Sequence, residues 1–544
     1  MERDNSPDQD VISCAPGTVL LEDRTRGDEI VLFPTPSEDP NDPLNWSSGR
    51  KSVNLGLVCF FVLWTFVELD IAFTAWGPLQ SELGFTIDQL NAGAAVNYGG
   101  LAIGCIFFVP LVHKYGRRPV YIASTTLQFA SCIWQARTMT VGDFIGCNLV
   151  SGVGSAISEI IVQITIADLY FVHQHATMNA YFVLFQCIGT FLGPVAAGYI
   201  VMSQGWRWMW WWCVIFLGVT LVCVILFFEE SKYVPVLNSQ EVTSSSPRAK
   251  NHTPEDKDGA EILQKPAGDN DTSNQTTPRD SPSTDHILRP NSYRQRFALY
   301  TKTDESLLPY FRQPIIALFT FPAVTYTAIT YGTTLAWFAI FTSIQATYLI
   351  EPPYSFDATG VGLMNIAPFI GGVVGFFLGG YLSDGMIVLL SKRNGGIYEP
   401  EMRLWLALPV AVTNPASLLM LGLGLAYESH WSVIAVGYGI FGFGFAIISE
   451  TTLSYLMDSY QDIIGDALVG VIFTRNILSV IVLFVLTPWV KGMHMQNTHI
   501  LIAVICFVVL LLPVPLLLWG KKARVSTARR YRRMAANQPT HRAA

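Results

Sequence analysis

Residues 152–170 read GVGSAISEIIVQITIADLY, and residues 442–460 read GFGFAIISETTLSYLMDSY. Allowing one inserted residue, both follow G-x-G-x-A-I, then S-E, then D-x-Y. Each lies in an apolar stretch long enough to cross a bilayer, which takes about 20 residues. On a helix, Glu159 stands about 13 Å from Asp168, and Glu450 stands about 12 Å from Asp458. Two acids then sit near the middle of the hydrocarbon, at matching places in two similar segments. Acids at that depth are costly and face an interior cavity or pathway. Ser151, Ser155, Glu159 and Gln163 recur every four residues and put a polar stripe on one helix face. Hydrogen bonding to a neighbouring helix is the competing reading, and the rarity of intramembrane acids weighs against it. Chance could match Gly/Ala/Ile-rich helices, but the agreement in position makes duplication the better account.

The rest of the chain has the same character. Its 544 residues are 51% hydrophobic and only 14% charged, with mean hydropathy +0.37. Soluble proteins carry about 25% charged residues, and single cores stop growing near ~250–300 residues. The deficit therefore means membrane. The net charge of −7 comes largely from the tails and a central linker, so it implies no nucleic-acid partner. Eight of the nine cysteines lie in apolar blocks, and the odd total gives no disulfide framework. The opening MERDNSPDQDV lacks the features of a cleavable signal peptide, so the first span is expected to direct insertion.

Hydropathy places spans near 53–79, 91–112, 119–138, 143–166, 179–202 and 207–228, then near 314–345, 359–382, 404–426, 431–456, 467–490 and 498–519. The apolar stretch from Pro314 to Ile350 is too long for one straight helix and too short for two with a loop. Charge parity decides it. Lys and Arg gather in cytoplasmic loops, here at Arg50/Lys51, Lys114/Arg117/Arg118, Lys392/Arg393/Arg403 and Lys521/Lys522/Arg524. The opposite loops hold Arg137, Arg207 and Lys491. Both tails are then cytoplasmic, and 314–345 is one long or broken span. The run WRWMWWW (206–212) is either an outer aromatic anchor or a packing cluster. The expected division is a disordered tail 1–52, a bundle 53–228, a largely disordered linker 229–313, a bundle 314–519 and a basic tail 520–544. Sequons at Asn251, Asn270 and Asn274 fall in the linker and should stay unmodified on the cytoplasmic side.

Further residues join the candidate site. Glu68 and Asp70 in the first span stand about 200° apart on a helix, so only one can face a shared cavity. The seventh span carries Tyr326, Thr330, Tyr331, Thr334 and Trp337, a face suited to an amphipathic ligand or to interhelical hydrogen bonds. Gly189 and Gly193 of GTFLGPVAAG (189–198) allow close helix contact, and Pro194 bends the span, which makes this stretch through Gly198 a candidate gate. Gly371, Gly375 and Gly379 read as packing. The loop HKYGRRP (113–119) carries topogenic charge, and its Gly116, Arg117 and Arg118 lie level with Asp168, so a charge pair there is a candidate latch. In the second half, Asp384 and Asp458 are the corresponding acids, with Lys392 and Arg393 in the equivalent loop. No nucleophile motif, metal-ligand cluster or phosphate-binding loop occurs.

Together NDPLNWSSGRK (41–51), YGRRPVY (115–121), GTFLGPVAAG, GWRW (205–208), NGGIYEPEMRLW (394–405) and YLMDSY (455–460) resemble the major facilitator superfamily, in its twelve-span drug:proton antiporter branch common in fungi. That resemblance implies an all-α membrane protein of twelve transmembrane helices, in two pseudo-symmetric six-helix bundles rocking about a site lined by the first, fourth, seventh and tenth spans. GTFLGPVAAG is similar to the motif associated with antiporters and favours export. Three positions depart from the family: Val109 stands where Gly is usual, His113 where Asp is usual, and Asn148 where an Arg linked to proton transfer is usual. The coupling role then passes to Glu159 by nomination.

The expected function is a proton-coupled exporter of a small amphipathic organic compound. Glu159 and Glu450 are the leading carboxylates, with Ser155, Gln163, Tyr331 and Trp337 as substrate contacts. Import of a nutrient or polyamine on the same fold is the first rival, and a non-transporting sensor is the second. The protein is expected to be a monomer in the plasma membrane, or alternatively the vacuolar membrane, without cofactor or metal, and not an enzyme.

Overall fold

The computed structural model describes residues 16–20, 39–232, 296–300 and 308–536. Helices dominate it. In chain order they are α1 (Ser48–Leu83), α2 (Ile87–Tyr115), α3 (Arg118–Ala136), α4 (Val141–Leu169), α5 (Thr177–Gln204) and α6 (Trp206–Phe227). The second half has α7 (Leu308–Thr320), α8 (Pro322–Tyr348), α9 (Ala358–Arg393), α10 (Pro400–Ala426), α11 (Trp431–Ser459), α12 (Ile464–Leu510) and α13 (Pro513–Ala535). Side-chain capping sets several boundaries. Thr86 and Thr140 each form a reciprocal capping box at the starts of α2 and α4, and Gly84 closes α1 in the left-handed conformation at φ 70°.

Among the described residues, nine helices are long and apolar enough to span a membrane, or ten if the bent pair α7–α8 is one span. The expected count of twelve also includes α3 and divides the run Gln461–Ala535 at His494, whose φ of 63° breaks α12. Helix α3 is less apolar because one side carries Ser124, Gln128 and Ser131, all buried against α1 and α4. The awkward seventh span is a broken one. Helices α7 and α8 meet at 91°, with Phe321 extended between them and Pro322 starting α8, where a proline's missing N–H costs nothing.

Apolar cores fill each half, around Phe61, Tyr121 and Ile161 in the first and Phe341, Tyr438 and Phe441 in the second. Large apolar side chains also stand outward, among them Phe377, Tyr381 and Leu518, as lipid contact requires. Contacts between the halves run along α2 and α12, where Leu101 and Cys105 cluster with Val469 and Ile472, and continue to the end opposite the termini. There Asn91 of α2 donates to Thr487 at 3.1 Å and accepts from Ser343 at 2.6 Å. A Cβ on Gly198 would lie 2.5 Å from the Ala358 carbonyl, and one on Gly362 would lie 2.6 Å from that of Pro194. Helices α5 and α9 thus close this end backbone to backbone.

The tails depart from the expected division. Pro16–Leu20 is placed, with Val19–Leu20 paired antiparallel to Ile397–Tyr398. Helix α13 runs to Ala535 and buries Arg524, which bonds Glu401 at 2.6 Å, so residues 520–535 are not a free basic tail. The linker sequons lie outside the described residues.

Candidate functional site

A cavity of about 320 Å³ lies between the two halves. Its acids are Asp70 of α1, Glu159 of α4 and Glu450 of α11, and its base is Arg475 of α12. Its apolar walls include Phe66, Phe182, Phe338 and Phe445. The lining reaches Asn179 and Met457, in the helix turns nearest the end that carries the termini.

Local backbone irregularities position the acids. Helix α4 loses its regular ladder at Ala156–Glu159, where Ser158 N–H donates to Ser155 and Ile160 N–H to Ile157. Glu159 stands at that break. Helix α1 tightens into a 3₁₀ segment at Ile71–Ala75, immediately after Asp70. Helix α5 widens into a π-turn at Ile188–Leu192, just before Pro194. Such interruptions inside spans recur at functional sites. Glu450 sits on continuous helix, beside space left by Gly379, where a Cβ would lie 2.9 Å from its Oε2.

An ion pair crosses the cavity. Arg475 Nη1 lies 2.7 Å from Glu159 Oε2 and donates to the Tyr331 hydroxyl at 2.9 Å. Its guanidinium carbon stands 5.1 Å over the Tyr331 ring. Glu159 belongs to the first half and Arg475 to the second. Arg475 is absent from the residues expected above, although the rule that singles out intramembrane acids applies equally to a lone cation in an apolar span. Asn148 lines the cavity and donates to the Phe144 carbonyl of its own helix at 2.8 Å, so the cavity's guanidinium comes from α12 instead.

Ser155, Gln163 and Tyr331 line the cavity as expected positions for substrate contact, and Asp70 is the first-span acid that does so. Glu68 turns the other way and accepts from Ser131 of α3 at 2.7 Å. Trp337 is not a cavity residue: it is buried in the apolar core of the second half. Tyr331, Leu335 and Phe338 form the cavity face of α8, and Trp337, six residues after Tyr331, falls about 240° around the helix. Gly189 and Gly193 lie against α1, where Cβ atoms would come 2.6 Å from the Leu63 carbonyl and 3.2 Å from Val67.

The latch residues form two clusters at the end that carries the termini. Arg117 donates to both oxygens of Asp168, at 2.8 and 3.3 Å, and Ser231 donates to the same carboxylate at 3.1 Å. The backbone N–H groups of Arg117 and Arg118 donate to Glu230 at 2.9 and 3.0 Å. Gly116, at φ 104°, admits that carboxylate where a side chain would collide with it. The Arg118 side chain reaches backbone carbonyls, including Ile225 at 2.6 Å, rather than Asp168. In the second half, Asp458 takes Arg403 at 2.5 Å and the Tyr398 hydroxyl. This corrects the expectation from the loop: Asp384 is exposed on α9 outside that pair, and the basic partner is Arg403, not Lys392 or Arg393. Beside the first cluster, Glu229 bridges Arg50 and Arg296, both at 2.5 Å. Burial pushes the Glu229 carboxyl up, but the two guanidiniums outweigh it and hold it below the usual range.

Residues 55–482 match the Major Facilitator Superfamily. The chain is 32% identical to an uncharacterized MFS-type transporter, C1271.10c, of Schizosaccharomyces pombe, over 92% of this chain and 89% of that one. It is 31% identical to Protein HOL1 of Saccharomyces cerevisiae, over 92% and 91%. The crystal structure of a POT family transporter in complex with a thioalcohol-conjugated peptide superposes with TM-score 0.58 at 13% identity, covering 86% of this chain and 96% of that one, which speaks to the fold alone. Two helical halves around a charged central cavity, and a match over most of the chain, lead to one assignment: the protein is a membrane transporter of the major facilitator superfamily.

Proposed function

We propose that this chain exports a small amphipathic organic compound in exchange for protons, by alternating access. The observation that carries the reading is the Glu159–Arg475 pair, which ties one half to the other across the cavity at 2.7 Å. A proton on Glu159 removes the charge that Arg475 faces and leaves the buried guanidinium without its counter-charge. Proton binding and the relative position of the halves are then coupled through one contact. The cavity volume, about 320 Å³, suits a small organic molecule, and its phenylalanine walls suit an apolar body. With the end opposite the termini closed, the form described is inward-facing if both termini are cytoplasmic. Cycling then delivers protons inward and substrate outward, across the plasma membrane, with the monomer as the working unit.

The cavity's three carboxylates against one guanidinium also favour a cationic group on the substrate. That excess supports the second reading, proton-coupled import of a cationic nutrient or polyamine. Flux direction in vesicles with an imposed pH gradient separates the two. Within either reading, Glu159→Gln should abolish coupling of flux to the gradient while the protein still folds. Undiminished coupling in that variant refutes the mechanism.

A further inference from the structure

Behind the cavity, toward the closed end, lies a second and much smaller pocket of about 10 Å³. Asp70 lines both spaces. The pocket's other polar walls are Thr74, Thr190, Thr342, Gln345 and Asn365, drawn from α1, α5, α8 and α9, so both halves contribute. Gln345 is 5% exposed and donates to the Val361 carbonyl at 2.5 Å, while its Oε1 is buried without a hydrogen-bond partner among the described residues. Phe73, Phe338, Pro194 and Val361 complete the wall, the last two next to the backbone closure of α5 on α9. A cavity of about this size holds one water, and such a water needs two to four polar partners. This pocket offers them.

We propose that this pocket is the proton port of the closed end, and that Asp70 is the carboxylate that takes up a proton from that side. The inference deepens the proton-coupled reading and rests on it. Three backbone irregularities meet here: the start of the 3₁₀ segment after Asp70, the π-turn that carries Thr190, and Pro194. Loosening of the α5–α9 closure opens the pocket before it opens the main cavity, so a proton passes from water in the pocket to a carboxylate oxygen of Asp70. It leaves later into the cavity. The transfer needs no other reactant. The titratable groups near enough to Asp70 to feel its charge are Tyr98 of α2 and Tyr438 of α11, and the charged groups that line the same cavity are Glu159, Glu450 and Arg475. The facing pocket residues of α5, α8 and α9 are neutral.

The test is modification by dicyclohexylcarbodiimide, which reacts with protonated carboxyls in apolar surroundings, read by peptide mass spectrometry on the full chain in sealed vesicles of known orientation. The pH on the termini side is held constant while that on the closed-end side is lowered from about 8 to about 5. Labelling of Asp70 should rise about five-fold or more over this range. In Thr342→Val/Gln345→Leu, which removes the port's polar walls, labelling should lose its dependence on closed-end pH. Thr342→Val alone, nearly isosteric, should weaken the dependence if the double variant does not fold. Labelling of Asp70 that follows the termini-side pH, or ignores both, overturns the port. The readout uses no transported compound, so its failure is distinct from failure of the exporter reading, which is judged by gradient-driven flux.

Discussion

At the scale of single residues, Arg475 changes the meaning of Glu159. A lone carboxylate at mid-membrane is a proton site in waiting, whereas a carboxylate 2.7 Å from a guanidinium is half of a switch. Removing either partner strands the other, so Arg475→Gln and Glu159→Gln should each lower the melting temperature in detergent. The double variant should melt above the worse single one, because a neutral pair leaves no uncompensated charge. Equal, additive losses would show that the two side chains do not interact. The acids were legible in the sequence because depth follows from residue count along a helix. Their partner was not, because which face of α12 meets which face of α4 is set by packing between halves, and periodicity within either helix is silent on it. Trp337 shows the same limit: its helix was legible, and the phase of that helix about its axis was not.

At the scale of elements, glycine positions say which contacts belong to which conformation. Gly189 and Gly193 of α5 lie against α1 of their own half, so in the proposed cycle their contacts persist. Gly198 and Gly362 meet across the halves, where added Cβ atoms would lie 2.5 and 2.6 Å from backbone oxygens. Gly198→Ala should therefore disfavour the closed end alone, shifting the population toward the form open there. Thiol labelling of a cysteine placed near the closed end should speed up, while Gly49→Ala, with nothing within 4 Å, should change nothing. Unchanged labelling in Gly198→Ala would mean that this closure does not hold the state. The stretch GTFLGPVAAG was legible as a bend, but its division into an intra-half and an inter-half surface was not. Similarly, the length of the seventh span signalled a long or broken helix, and the 91° turn before Pro322 is what tertiary packing made of it.

At the scale of the whole molecule, the two ends are built differently. The end with the termini is laced by ion pairs: Arg117–Asp168 in the first half, Arg403–Asp458 in the second, and Glu229, just past α6, with Arg50 at the start of α1 and Arg296 of the linker. In the proposed cycle these would hold each half together as it moves. Because Glu229 is held below the usual carboxylate range, its stabilisation is complete above the ordinary Glu value, about 4.3, and is lost as pH falls through the lowered one. The melting-temperature gap between wild type and Glu229→Gln should be flat at neutral pH and close only in strong acid. A gap that closes on raising the pH would reverse the sign and refute the assignment.

In the proposed cycle the opposite end opens, and among the described residues the polar contacts that close it are few. Lys491–Asp88, at 2.9 Å, joins side chains 68% and 55% exposed, and such a pair is worth about 0–1 kcal/mol. Asn91 is buried and bonds both Ser343 and Thr487, so its loss strands buried polar groups at about 1–3 kcal/mol. Lys491→Ala should therefore leave transport and closed-end accessibility within about two-fold of wild type. Asn91→Ala should increase accessibility by about five-fold or more and slow turnover, because the closed-end-sealed state becomes harder to reach. If the two substitutions act alike, the closure is electrostatic rather than a buried hydrogen-bond lock, and high salt should then mimic both.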